Sequence, residues 1–131
     1  MKYCLAIGAV CLFLAGCGGG TKTTLTGKLL VNGVAIQKVE GELVQVQFVP
    51  EGGKDGSHMA DVAMDGTFSV VTAGGTIPPG KYKVIILSQS SGPPNPKAPS
   101  ADRFKGKFSR EKTTLSITVN PGENKQDIKV D

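Results

Sequence analysis

From Leu25 onward the chain repeats one pattern. Apolar and polar residues alternate over a short run, and then Gly, Pro, Asn or Asp interrupts. A period of two sends successive side chains to opposite faces of an extended strand, whereas a helix needs a period near 3.6. In Val44 to Val49, Val44, Val46 and Phe48 share one face and Gln45 and Gln47 the other. Leu25 to Val31 precedes it and stops at Asn32-Gly33, a tight-turn dipeptide. Met59 to Met64 is a weaker run. Asp65-Gly66 then leads into Thr67 to Val71, where Phe68 and Val70 share a face. An Asp-Gly pair between two such runs predicts a hairpin, because both turn positions need positive φ. Tyr82 to Leu87 is apolar on both faces, which predicts a central strand. Leu115, Ile117 and Val119 alternate with Ser116 and Thr118. Pro121-Gly122 turns the chain, and Ile128 and Val130 close it. The pattern predicts an all-β domain of seven strands and no helix.

The N-terminus follows a different rule. Lys2 is followed by an uncharged apolar run from Cys4 to Leu14, too short for a permanent membrane span. Leu14-Ala15-Gly16-Cys17 then resembles the lipobox of bacterial lipoproteins. That resemblance implies a signal peptide over residues 1–16, cleavage before Cys17, and acylation of the Cys17 sulfur, which makes the membrane a partner. Each buried methylene contributes about 0.8 kcal/mol, so one acyl chain holds marginally and two or three hold firmly. Gly18, rather than Asp, follows the cysteine, which leans towards the outer membrane in a two-membrane bacterium. Residues 17–24 are rich in Gly and Thr and read as a flexible tether, leaving 25–131 as the domain.

Composition narrows the chemistry. Cys4 and Cys11 leave with the signal and Cys17 carries lipid, so none of the 3 cysteines remains for a disulfide, a thiolate metal site or a nucleophile. No cofactor or metal is expected. His58 is the only histidine and sits among Gly and Ser, which suggests a surface loop. Asp61, Asp65 and Gly66 do not match the spacing of a calcium-binding EF-hand loop. Glu40 and Glu42 fall at the start of a strand with no apolar pocket in evidence to separate their acidities. The sequence contains no GxxxxGK[ST], GxSxG or HExxH. A non-catalytic module is the expectation, and an unrecognised hydrolase is the more remote one.

Asp65-Gly66-Thr67-Phe68, followed by Pro79-Gly80-Lys81-Tyr82-Lys83-Val84, is similar to the DG-x-F and PG-x-Y-x-V signature of carboxypeptidase regulatory-like domains. Leu25-Thr26-Gly27-Lys28-Leu29 with Asn32-Gly33 resembles their opening strand. With the lipobox and the ending Leu115 to Asn124, the whole resembles a family of small bacterial lipoproteins. The resemblance implies a transthyretin-like (prealbumin-like) seven-strand sandwich with Greek-key connections, and it implies no reaction. Asp65, Gly66, Phe68, Gly80 and Tyr82 then have structural work. Gly80 turns the chain into its strand, and the Tyr82 ring joins the core while its hydroxyl reaches back to the backbone. Transthyretin-like hydrolases of 5-hydroxyisourate end in Tyr-Arg-Gly-Ser, whereas this chain ends Ile128-Lys129-Val130-Asp131. Pilin-like sandwiches form Lys–Asn isopeptide bonds, for which Lys28 and Asn124 are candidates.

Residues 88–113 exceed what a sandwich requires: 26 residues with Pro93, Pro94, Pro96 and Pro99 and no strand pattern. From Lys97 to Lys112 there are six basic residues (Lys97, Arg103, Lys105, Lys107, Arg110, Lys112) against Asp102 and Glu111, a net +4. A solvated loop is the plain reading. The functional one is a surface where Arg103, Lys105, Lys107 and Arg110, with Phe104 and Phe108, meet an anionic envelope polymer or another envelope protein. Nucleic acid is a poor match for an exported protein. The two phenylalanines either tack the loop onto the sandwich, which is favoured, or face a partner.

Overall fold

A computed structural model describes residues 22–52, 56–70, 76–90 and 102–131. These contain nine strands and no helix: β1 (Thr24–Val31), β2 (Val34–Ala35), β3 (Glu42–Pro50), β4 (His58–Asp61), β5 (Thr67–Ser69), β6 (Gly80–Ser90), β7 (Ser116–Val119), β8 (Glu123–Lys125) and β9 (Ile128–Val130). The signal segment, Cys17, most of the tether and residues 91–101 lie outside the described residues.

Two sheets result. In the first, β1 is the hub, with β5 and β2 antiparallel to it and β8 and β9 parallel to it. In the second, the order is β4-β3-β6-β7, all neighbours antiparallel. The Phe48 ring of β3 lies 5.9 Å from the Phe68 ring of β5, so the sheets face each other. Between them lie Leu25 and Leu29 from β1, Val44 and Val46 from β3, and Val84 and Ile86 from β6, all but sealed from solvent. Fully burying a side chain of this kind contributes roughly 1.5–3 kcal/mol.

The expected seven strands give way to nine. β2 and β8 are the additions, and neither has an apolar alternation to announce it. Val34-Ala35 is too short, and Glu123-Asn124-Lys125 is wholly polar, buried only at Asn124. β6 also runs past Leu87 to Ser90, because β3 pairs with it from Pro50↔Tyr82 to Glu42↔Ser90. It is central, as its two apolar faces predict, and Ile85 on its outer side is 3% exposed. The Met59–Met64 run shrinks to β4. Beyond it Val62 makes a lone bridge to Phe68, and the chain crosses from one sheet to the other.

β1 gives the domain an axis. Its first residues sit beside Gly122 and Ile77, through Thr24 N to Gly122 O (3.0 Å) and Ile77 N to Thr23 O (2.9 Å). Its last residues sit beside β9, with Asn32 N donating to Val130 O at 2.9 Å. At about 3.3 Å per residue, the near and far ends are roughly 23 Å apart. Midway, Gly27 packs against Gln126, whose carbonyl oxygen would lie 1.8 Å from a Cβ at that position. Only glycine lets the β8–β9 connection cross there.

Candidate functional site: a basic platform on the sheet edge

β7 covers only the first part of β6, pairing Gly80 to Lys83 with Val119 to Ser116. Above it, residues 102–113 take over the edge. Phe108 O accepts from Ile86 N (3.1 Å), and Thr113 Oγ1 donates to Val84 O (2.7 Å). The segment is a series of tight turns: Lys105 N to Asp102 O, Lys107 N to Phe104 O, and Ser109 N to Gly106 O. Asp102 begins it by accepting from Phe104 N (2.9 Å) and Gly106 N (2.6 Å), the local bonding for which aspartate suits turns. Lys105 (φ 51) and Gly106 (φ 72) complete the bend.

The aromatic residues settle how this segment is held. Phe108 is 6% exposed and belongs to the core, and Phe104 packs against the core edge-on to Phe108, with centroids 5.3 Å apart. Of the two readings of these rings, the tacking one describes where they lie, with Phe104 the more open of the two. Their rings occupy the apolar space that β7 is too short to fill, and burying them outweighs presenting them to water. Arg103 is also committed. Its Nη2 donates to Glu42 Oε2 at 2.6 Å and to Gln37 O at 3.1 Å. Lys105, Lys107, Arg110 and Lys112 remain exposed. Lys107 Nζ donates to the Asp131 backbone oxygen and lies 5.3 Å from the Phe108 ring centroid.

Glu42, which the sequence offered only as one of two acids at the start of a strand, has a larger part. It is the first residue of β3 and shares the inward face of Val44, Val46 and Phe48, so its carboxylate points into the sandwich end with 3% of the side chain exposed. Besides Arg103, it accepts from Val39 N (3.1 Å) and Ser88 Oγ (3.3 Å). A buried carboxylate needs such a shell. Continuing the Val44, Val46, Phe48 alternation two residues back would put position 42 inward, and a charge at such a position is the signal that could have found it.

The remaining candidates separate. His58 is not in a loop: it begins β4, half-buried and directly across from Phe48. Its ring stands edge-on to Tyr82 with centroids 6.0 Å apart, and its buried Nε2 has no hydrogen-bond partner. Tyr82 is 2% exposed and its Oη donates to Pro78 O at 2.6 Å. Gly80, with φ 152, starts the strand. Asp65 caps its own turn, accepting from Thr67 N (3.0 Å) and Thr67 Oγ1 (2.7 Å). The Thr67 hydroxyl, then its amide, hold the Asp65 carboxyl below its ordinary range. Gly66 (φ 85) follows and Phe68 is in the core. Lys28 and Asn124 face opposite ways. Asn124 is buried level with Leu25, its Nδ2 donating to the carbonyls of Thr24, Asn120 and Gly122, whereas Lys28 is on the exposed face of β1. That geometry forbids an isopeptide bond between them.

Two clefts flank β5. One, about 650 Å³, lies between the free edges of β4 and β5 and is lined by Gln45, Met59, Asp61, Thr67, Phe68 and Ser69 among others. The other, about 380 Å³, includes Lys28, Lys125 and Asp127. Neither contains His58. Among the described residues, no three His, Cys, Asp or Glu side chains gather where a metal would need them.

Two facing β-sheets without a helix among the described residues define the class. No protein-family model matches the chain, and no curated protein does. Among solved structures, a DUF3823 family protein from Bacteroides ovatus is similar, with 30% sequence identity over 82% of this chain and a TM-score of 0.51. This chain spans 44% of that protein's length.

Proposed function

We propose that this chain is a lipid-anchored, non-catalytic module of the bacterial cell envelope, with a structural or interaction role. The observation that carries it is Leu14-Ala15-Gly16-Cys17 placed directly ahead of the domain. Thr23 is already bonded to Ile77, and six residues span at most about 20 Å, so a lipid on Cys17 would keep the near end of β1 close to the bilayer. The likeness to a Bacteroides protein fits a bacterial setting. The transthyretin-like, Greek-key form of the sandwich belongs to the same reading, supported by the order of the motifs around Asp65-Gly66 and Gly80-Lys81-Tyr82. Gly18 favours the outer membrane where there are two.

Metabolic labelling with palmitate tests the anchor. The wild-type chain is expected to incorporate label and partition into membranes, and Cys17→Ser to do neither. A wild-type protein recovered unlabelled, with residues 1–16 still attached, would refute the reading.

A further inference from the structure

We infer that residues 105–112 form a docking edge for an acidic polysaccharide. The binding surface rests on the geometry of this edge, and its place in the cell envelope on the anchoring reading.

The edge is prebuilt. Phe108 in the core, Arg103 on Glu42 and Thr113 on Val84 hold both ends and the middle of the segment. Lys105, Arg110 and Lys112 are exposed along it; Lys107, also exposed, turns its Nζ to the Asp131 backbone oxygen, and Glu111 is the one acid between Lys105 and Lys112. The Asp102 carboxylate is occupied by two backbone amides, and Arg103 is balanced by Glu42, so neither changes the outward balance. A pinned segment loses little further freedom on binding, so its charges act at a small entropic penalty.

Position and composition select the partner. Lys107 reaches Asp131 beyond β9, at the far end of β1, and Arg110 and Lys112 lie lower on the same edge, near Lys83 and Val84. Spread from Asp131 down to Lys83, these cations form a line rather than a point, which suits an extended polymer. Among the described residues the exposed large apolar side chains are Val34, Val39, Leu43, Met59 and Met64, with no aromatic among them. Nucleic-acid binding relies on stacking platforms and protein docking on aromatic anchors, and this edge presents neither. Spaced ammonium and guanidinium groups on a fixed edge suit a flexible chain of repeating carboxylates, bound through release of its counterions.

The test uses the full-length protein in detergent with fluorescent polygalacturonate as probe and uncharged dextran as control. Two variants carry equal charge loss: K105Q/K107Q/R110Q/K112Q on the edge, and K22Q/K28Q/K125Q/K129Q elsewhere, all at exposed positions. The edge variant is expected to bind about tenfold more weakly or worse, with a salt dependence shallower by roughly three units, while the control stays within about twofold. Acetylation footprinting of the unmutated protein provides a check that needs no folded variant: polymer should protect Lys105, Lys107 and Lys112 and leave Lys28 and Lys125 reactive. Equal losses in both variants, equal binding of dextran, tighter binding to phosphatidylglycerol vesicles than to polymer, or no protection would each overturn the inference. Mass spectrometry of Cys17 is read separately. Lipid present without polymer binding removes this inference alone, and polymer binding without lipid removes the anchor alone.

Discussion

Arg103 and Glu42 are 61 residues apart in sequence and 2.6 Å apart in space, joined at the end of the sandwich by an ion pair whose acidic partner is almost completely buried. The pair ties the 102–113 segment to the start of β3 and, through Gln37 O, to the stretch that follows β2.

Removing one partner of a buried pair leaves the other charged and unpaired, at a cost of about 3–5 kcal/mol. Arg103 is partly open to solvent, so Arg103→Ala is expected near the lower figure, measured by urea denaturation. Replacing both residues with methionine should recover most of the loss, because the desolvation of two charges disappears with them. If the double variant is no more stable than Arg103→Ala, the pair is not what holds the segment.

Gly27→Ala should be the most disruptive small substitution on β1. Its Cβ would overlap the Gln126 carbonyl, and backbone, unlike a side-chain tip, cannot step aside. A loss of about 3 kcal/mol or more is expected, seen as a lower thermal midpoint or failure to accumulate. An unchanged midpoint would show that the β8–β9 connection does not cross there.

Tyr82→Phe removes one hydrogen bond and keeps the ring in place. The Pro78 carbonyl loses its 2.6 Å donor, and a destabilisation of about 1 kcal/mol is expected in chemical denaturation. A neutral result would mean that solvent replaces the hydroxyl there.

The Asp65 turn carries a pH signature. Its folded-state pKa lies below the ordinary 3.8 because Thr67 bonds to the ionised form. Stability from this turn is therefore complete above about pH 4 and is lost as the pH falls through the lower folded value. Thr67→Val should be less stable than wild type at pH 7, and the gap should narrow below pH 4. A gap that stays constant with pH would exclude the carboxylate as its source.

The alternation along the chain was enough to name the strands around Val44, Phe68, Val84, Ile117 and Ile128, and to say which side of each faces inward. Those choices are local: a period of two and a turn dipeptide are written in adjacent residues. The resemblance of Leu14-Ala15-Gly16-Cys17 to a lipobox is equally local. What depended on distant partners was not written there. β2 and β8 are strands only because β1 lies beside them, and Asn124 is buried only because three carbonyls converge on its amide. His58 came inward because β4 aligns it with Phe48. Phe104 and Phe108 could be read as anchors or as bait until β7 proved too short to cover β6. Glu42 was one of two acids at the start of a strand until the fold set Arg103 across from it. Apolar burial is decided by pattern, because any inward position rewards it. The pairing of a charge is decided by geometry, because it needs one particular partner, and only the folded chain brings that partner within reach.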